Sequence, residues 1–329
     1  MGSIGEIARL VGVSESTVSR ILSNDATFAV SKQTREAVQQ AAEKLNYRPR
    51  RTNSPNGQIT IYLIHKQAGK ERVGDTFYIE LKSQLESLGH DKGFRVANLY
   101  HVNQIKRRSI PRADGLIAIG KYGNAEIAKL KSLSNCIVFL DFDIEGYDTI
   151  NLESESAVKE ILTHLINRHH KKIAFIGARD EGPEAYELEN REKAVYKVLR
   201  QKRLLKEEYI RIGKFDTYSG YTLCKELMAL TDRPTAIFVV DDKLAIGAYR
   251  AIKECGLNIP RDVSVIGYSD MPVSRYLIPS LTTYHVEFDK LASKALQLIQ
   301  EQMEGRIVAK QEYVSGKIIE RESVWTLSP

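Results

Sequence analysis

Six polar side chains within seven residues, in the run Ser14-Glu15-Ser16-Thr17-Val18-Ser19-Arg20, have the types needed to read a nucleic acid. Arginine can make a bidentate bond to guanine, glutamate can accept from cytosine N4, and serine can bond several base edges, so Glu15, Ser16 and Arg20 are the base-reading candidates. Ser14, Thr17 and Ser19 suit phosphate oxygens. Ser14 also stands where a helix N-cap belongs. Val18, Ile21 and Leu22 recur at helical spacing, which gives the same short helix an apolar side to bury.

Such a helix needs a partner to hold it, and residues 4–11 supply one. Ala8 is small enough for two helices to approach. Gly12 tolerates the positive φ of a sharp turn, and Val18 packs back on the first helix. These three residues alone fit a helical hairpin that only packs. The polar N-terminal face of the second helix favours a helix-turn-helix whose second helix enters the major groove. Ser31 is placed to cap a helix from Lys32, along which Val38, Ala41, Ala42 and Leu45 form one apolar face. The run L-N-Y-R-P-R-R closes this three-helix unit at residues 45–51.

The pattern A-R-L-V-G-V-S-E-S-T-V-S-R-I-L, followed by V-S-K-Q-T-R-E-A-V and L-N-Y-R-P, resembles the DNA-binding head of the lactose-repressor (LacI/GalR) family over nearly all of residues 4–49. Asn24, Ser31, Thr34, Tyr47, Arg50 and Arg51 complete the candidate DNA-binding set.

Charge agrees with a head that meets phosphates. Residues 1–58 hold eight Lys/Arg against five Asp/Glu, half of the net charge of +6 in under a fifth of the 329 residues. Cys136, Cys224 and Cys255 are widely spaced, with neither metal-ligand spacing nor an even count for a disulfide framework. A reduced, cytoplasmic setting is expected. No apolar run approaches a membrane span, and the N-terminus lacks the basic and apolar regions of a signal peptide. No phosphate-binding glycine loop with its lysine, no metal cluster and no nucleophile elbow appears, so neither a cofactor nor an enzymatic activity is expected.

From Ile59 onward short apolar runs alternate with longer periodic segments. Strands are expected at 59–64, 94–100, 115–120, 136–140, 172–177, 236–240 and 263–268, and helices at 76–92, 123–132, 155–169, 184–202, 219–230, 242–255 and 287–304. This alternation implies parallel sheets covered on both faces, with ligands beyond the carboxyl ends of the strands. The body resembles the type I periplasmic sugar-binding fold that the family carries behind its head. The matches are A-D-G-L-I-A-I-G at 113–120, H-H-K-K-I-A-F-I-G at 169–177, V-D-D-K-L-A-I-G-A-Y-R-A-I at 240–252, N-I-P-R-D-V-S-V-I-G-Y-S-D at 258–270 and P-S-L-T-T-Y at 279–284.

The fold class so implied is an all-α helix-turn-helix head plus an α/β body of two doubly wound parallel-sheet subdomains. The expected head is 1–47, the linker or hinge 48–58 and the body 59–329. The N-subdomain takes about 59–155 plus 287–316, and the C-subdomain about 156–286 plus 317–329. The resemblance also implies three crossover strands, an effector cleft and a homodimer on a near-palindromic operator. Carried over residue by residue, Arg191 matches an arginine that bonds sugar hydroxyls, and Phe215 an aromatic residue on the sugar. Asp242 and Asp270 each follow an apolar strand and so stand at strand ends; Phe77 and Phe288 are further wall candidates. An aspartate after a strand is also a common helix N-cap, and Asp241 and Ser269, one residue away, are alternative contacts.

The linker departs from the family. R-R-T-N-S-P-N-G-Q at 50–58 lacks the leucine that wedges into the minor groove, and Pro55 and Gly57 oppose a hinge helix. Arg48, Arg50 and Arg51 then either meet phosphates or a narrow minor groove, or the segment is a tether. Within the family the chain is most similar to repressors of β-galactosidase operons, on D-A-T-F-A-V-S, A-I-G-K and F-L-D-F. The implied effector is galactose or a galactoside, with another sugar or a purine corepressor as the alternative. A sugar-binding module without regulatory DNA contact is the reading from another class.

Overall fold

The structure is a computed structural model, and it describes residues 4–22, 30–45, 58–66, 76–99, 113–179 and 190–329. Asn24, Tyr47, Arg50, Arg51 and the linker up to Gly57 lie outside the described residues, as does the part of the expected helix 184–202 before Asn190.

Three helices form the head: α1 (Ile4–Val11), α2 (Glu15–Leu22) and α3 (Lys32–Lys44). Their core is Ile7, Ala8, Val18, Ile21, Val38, Ala41 and Ala42, one stripe from each helix. α1 ends because Gly12 turns to φ +73°, where the Gly12 and Val13 amides both donate to the Ala8 carbonyl. Ser14 then caps α2 by accepting from the Thr17 amide at 3.1 Å, and Ser31 caps α3 by accepting from the Thr34 amide at 3.1 Å.

The chain divides into two compact units, one of Met1–Val73, Leu85–Thr149 and Ser293–Lys310, the other of Gly74–Gln84, Ile150–Ala292 and Gln311–Pro329. The body opens with β1 (Ile59–His65), α4 (Thr76–Asp91), β2 (Phe94–Leu99), β3 (Gly115–Ile119), α5 (Asn124–Leu133), β4 (Ile137–Leu140) and β5 (Asp148–Leu152). It continues with α6 (Ser154–Asn167), β6 (Ile173–Ala178), α7 (Asn190–Gln201), β7 (Ile210–Gly213), α8 (Thr217–Met228), β8 (Ala236–Val239), α9 (Asp242–Glu254) and β9 (Ser264–Ser269). It closes with β10 (Thr282–His285), α10 (Phe288–Met303), β11 (Gln311–Val314) and β12 (Lys317–Ile319).

The strands form two six-stranded sheets, in the orders β11-β5-β4-β3-β1-β2 and β12-β10-β9-β8-β6-β7. β2-β1-β3-β4 and β7-β6-β8-β9-β10 pair in parallel, and β12 is antiparallel to β10. Their central strands are buried along their whole length, as parallel strands covered on both faces must be.

In the first unit Asp148 is a buried carboxylate at the start of β5. It accepts from Arg306 Nη1 at 3.0 Å, Gln302 Nε2 at 2.6 Å and the Lys310 amide at 2.8 Å, and the Thr149 amide donates to the Lys310 carbonyl. Burial pushes this carboxyl up, but the donors, led by Arg306 and Gln302, together hold it below the usual carboxylate range. In the second unit α8 and α9 cross at Gly220 and Gly247. A Cβ on Gly247 would lie 2.0 Å from the Thr217 carbonyl oxygen, and one on Gly220 would lie 2.1 Å from that of Leu244.

Candidate functional site

In the head, α2 presents Ser14, Glu15, Ser16 and Arg20 as exposed residues and Thr17 as half-buried, while Val18 and Ile21 are buried behind them. The Ser14 hydroxyl is within hydrogen-bond distance of both Ser16 and Thr17 hydroxyls, 2.8 Å each, so the capping residue also fixes the polar start of the helix. Of Ser19 only the backbone is described. Thr34 sits in the first turn of α3, its hydroxyl 2.7 Å from that of Ser31.

In the second unit the sheet places several residues at strand carboxyl ends. Arg191, in the first turn of α7, donates from Nη1 to the Val240 carbonyl at 3.0 Å. Its guanidinium lies over the Tyr268 ring at 4.8 Å and over the Phe215 ring at 5.9 Å from the centroids. Phe215 is half-buried between β7 and Asp216, the N-cap of α8. Val240 leads directly to Asp241, the N-cap of α9, whose carboxylate accepts from the Lys243 amide at 2.8 Å. Tyr268 leads to Ser269 and Asp270, both in the left-handed region at φ +112° and +53°. Holding two non-glycine residues there costs about 1–3 kcal/mol each, which only a well-determined surrounding sustains.

That surrounding is visible. Asp270 accepts from Arg321 Nη2 at 2.6 Å on one carboxylate oxygen and faces His285 Nδ1 at 3.0 Å on the other. Tyr268 stacks on Tyr284, its cross-strand partner in β10, at 5.3 Å between centroids. Phe77 and Phe288 form a second aromatic pair, edge to face at 5.1 Å.

The arrangement offers a planar five-donor cation, the half-exposed Asp241 carboxylate and aromatic faces at the ends of parallel strands, the mix that binds a polyhydroxylated ligand, while the Asp270 carboxylate, 7% exposed and held by Arg321 and His285, braces its turn. Among the described residues no group of three or more His, Cys, Asp or Glu could hold a metal ion, and no helix is long and apolar enough to cross a membrane.

Residues 3–50 match the family model described as bacterial regulatory proteins, lacI family, and residues 162–324 match that of a periplasmic binding protein-like domain. The chain is 32% identical to the HTH-type transcriptional regulator GalR of Lacticaseibacillus casei, over 98% of this chain and 99% of that protein. It belongs to the LacI family. The HTH-type transcriptional regulator GanR of Bacillus subtilis (strain 168) is also 32% identical, over 98% of this chain and all of that one. The fold matches the crystal structure of the lac repressor dimer bound to operator and the anti-inducer ONPF with a TM-score of 0.70 at 24% identity, covering 98% and 99% of the two chains. As a LacI-family protein the chain is a sequence-specific DNA-binding transcriptional regulator and not an enzyme.

One expectation for the LacI-family body needs correction. Asp242 is fully buried, and both of its oxygens point into the protein. Oδ1 accepts from the Thr283 hydroxyl at 2.7 Å; Oδ2 accepts from the Ser274 hydroxyl at 2.6 Å and the Met271 amide at 2.9 Å. A side chain so enclosed is in no position to touch a ligand. Its half-exposed neighbour Asp241 takes the strand-end place. Sequence reasoning also missed Tyr268, Arg321 and His285. Tyr268 reads as one more apolar strand residue, and Arg321 and His285 stand far along the chain from the turn they support.

Proposed function

We propose that this regulator represses a sugar-utilisation operon, binding a near-palindromic operator as a homodimer and leaving it when galactose or a galactoside binds the body. The observation that carries the sugar half is Arg191, fixed on Tyr268 and Val240 with Phe215 beside it and the half-exposed Asp241 carboxylate at the neighbouring strand end, above the turn that Asp270 braces. The names of two relatives at 32% identity, GalR and GanR, support the same reading.

In this reading residues 1–47 are the operator-reading head, 48–58 the linker and 59–329 the sensor and dimerisation body. Glu15, Ser16 and Arg20 read bases. Ser14, Thr17, Ser19, Asn24, Ser31, Thr34, Tyr47, Arg50 and Arg51 serve the backbone and the adjacent groove. The sugar binds one conformation of the body more tightly than another, and the favoured conformation presents the paired heads poorly to the operator.

Linkage makes this testable. Operator affinity is measured by fluorescence anisotropy with and without saturating D-galactose, lactose or methyl β-D-galactoside, and sugar affinity is measured with and without operator. The same coupling factor is expected in both directions. Operator binding unaffected by every sugar would remove the galactoside reading, and specific binding retained without residues 1–47 would remove the assignment of the head.

A further inference from the structure

The Asp242 carboxylate links the start of α9, where Asp241 belongs to the proposed effector site, to the turn that follows Asp270. Asp241 precedes it and caps α9. On the other side Asp242 holds the Met271 amide, one residue beyond Asp270, and the Ser274 hydroxyl in the turn Pro272–Arg275. It also holds Thr283 of β10, whose hydroxyl is 3.4 Å from the Asp270 amide. The backbone of β9 makes room for this: a Cβ on Gly267 would lie 2.1 Å from Asp242 Oδ1. One buried side chain therefore joins the start of α9, the end of β9, the following turn and β10.

We infer that Asp242 is a positioning residue for effector binding, setting the place of the Asp241 carboxylate against the Ser269–Asp270 turn through its bonds to Met271, Ser274 and Thr283. The inference rests on the effector site proposed above. Three donors converge on it, so the ionised carboxylate satisfies all three at once. A protonated carboxyl must itself donate, which turns one hydroxyl from donor to acceptor and loosens the latch. Burial pushes this carboxyl up to about 7, against the pull of Ser274 and Thr283 and helped by the charge of Asp241. The latch is thus set to change with pH in the neutral range. The other titratable or charged groups around it are Asp241 and Tyr249 on α9, and Asp270 with its partners Arg321 and His285.

The test uses the full-length protein, with D-galactose and methyl β-D-galactoside as probes. Calorimetry gives their affinities from about pH 6 to about pH 8 for the wild type, Asp242→Asn, Ser274→Ala, Thr283→Val and Arg191→Ala. Hydrogen exchange of residues 269–276 is followed without ligand.

At about pH 8 each latch variant should bind about tenfold more weakly than the wild type, and exchange in 269–276 should speed up. Wild-type affinity should fall toward about pH 6, and that fall should be absent from Asp242→Asn. Ser274→Ala and Thr283→Val keep the carboxylate, so they decide the matter if Asp242→Asn does not fold.

Latch variants with wild-type affinity and pH profile, alongside an Arg191→Ala variant that loses the sugar, overturn the positioning role and leave the effector site standing. If Arg191→Ala binds like the wild type, or neither sugar binds, the site reading fails instead. The exchange comparison then judges the latch alone, and unchanged exchange in Ser274→Ala overturns it.

Discussion

Arg191 spreads its guanidinium over the Tyr268 ring, 4.8 Å from the centroid, while donating to the Val240 carbonyl at 3.0 Å. The group is thereby fixed in plane by the ring and in rotation by the carbonyl. A lysine keeps the charge but has neither the planar fork nor the stacking face. Arg191→Lys should therefore weaken galactoside binding almost as much as Arg191→Ala, by roughly tenfold to a hundredfold, for the loss of one or two aligned hydrogen bonds. Operator affinity without sugar should stay as it is. Calorimetry with methyl β-D-galactoside and anisotropy on operator DNA check both halves.

The head makes a separate prediction. Gly12 sits at φ +73° with nothing within 4 Å of where a Cβ would be. Gly12→Ala is thus penalised by backbone conformation alone, about 1–2 kcal/mol, spent on the turn that sets α2 against α1. Arg20→Ala leaves the fold alone and should cost about 1–3 kcal/mol of operator binding while relaxing preference at one base position. Thermal unfolding should separate the two variants, since only Gly12→Ala shifts the head's transition.

Much of this was legible in the residues. Gly12, Ser14 and Ser31 announced the ends of three helices because turns and caps are local chemistry. β1, β2, β3, β4, β6, β8 and β9 were visible as short, mostly apolar runs. β5, β7, β10, β11 and β12 were not, and the reason is physical. β10 buries Thr282 and Thr283 completely, which is tolerable because the Thr282 hydroxyl accepts from the Arg321 amide, 39 residues on, and the Thr283 hydroxyl donates to Asp242, 41 residues back. Asp148 at the head of β5 depends on Arg306, 158 residues further on. Asp241 and Asp242 are chemically identical neighbours after the same strand, and only burial separates the one that can face a ligand from the one that cannot.

The crossing of α8 and α9 should tolerate no side chain. Gly247→Ala would press its methyl against the Thr217 carbonyl and the Tyr221 amide, at 2.0 Å and 2.6 Å before relaxation. Backbone on both sides cannot rotate away, so the helices must separate, at a cost of about 3 kcal/mol. Chemical denaturation should show this loss in the second unit, and effector binding should weaken with it because Asp241 caps α9 and Phe215 adjoins α8.

Asp148 should make the first unit sensitive to acid. Its carboxyl is held below the usual range in the folded protein, so its contribution is present above the unfolded value, about 3.8, and is lost as pH falls through the folded one. Asp148→Asn removes the charge that Arg306 faces, and Arg306 is itself largely buried. Glu301, 2.7 Å from Arg306 Nε, softens the loss. The variant should be about 3 kcal/mol less stable at neutral pH. That deficit should shrink below about pH 4, where the wild-type carboxylate protonates too.

Asp242 predicts the opposite slope. Burial raises its carboxyl from 3.8 to about 7, so the folded protein holds a proton that the unfolded chain has released throughout that window. Stability tied to this group is complete below about pH 4 and declines as pH rises to about 7, because the folded state binds more protons than the unfolded one. Asp242→Asn, neutral at every pH, should abolish that decline. Urea unfolding at intervals from about pH 4 to about pH 8 should give a shallower fall, or a rise, in the variant relative to the wild type. The expected pattern is a variant whose relative stability improves with pH while its sugar affinity stays poor. It would mean that the protein keeps a carboxylate here, against its own stability, for the alignment it gives Asp241 and Asp270. A variant that tracked the wild type in parallel across the whole range would show that Asp242 does not titrate in that window.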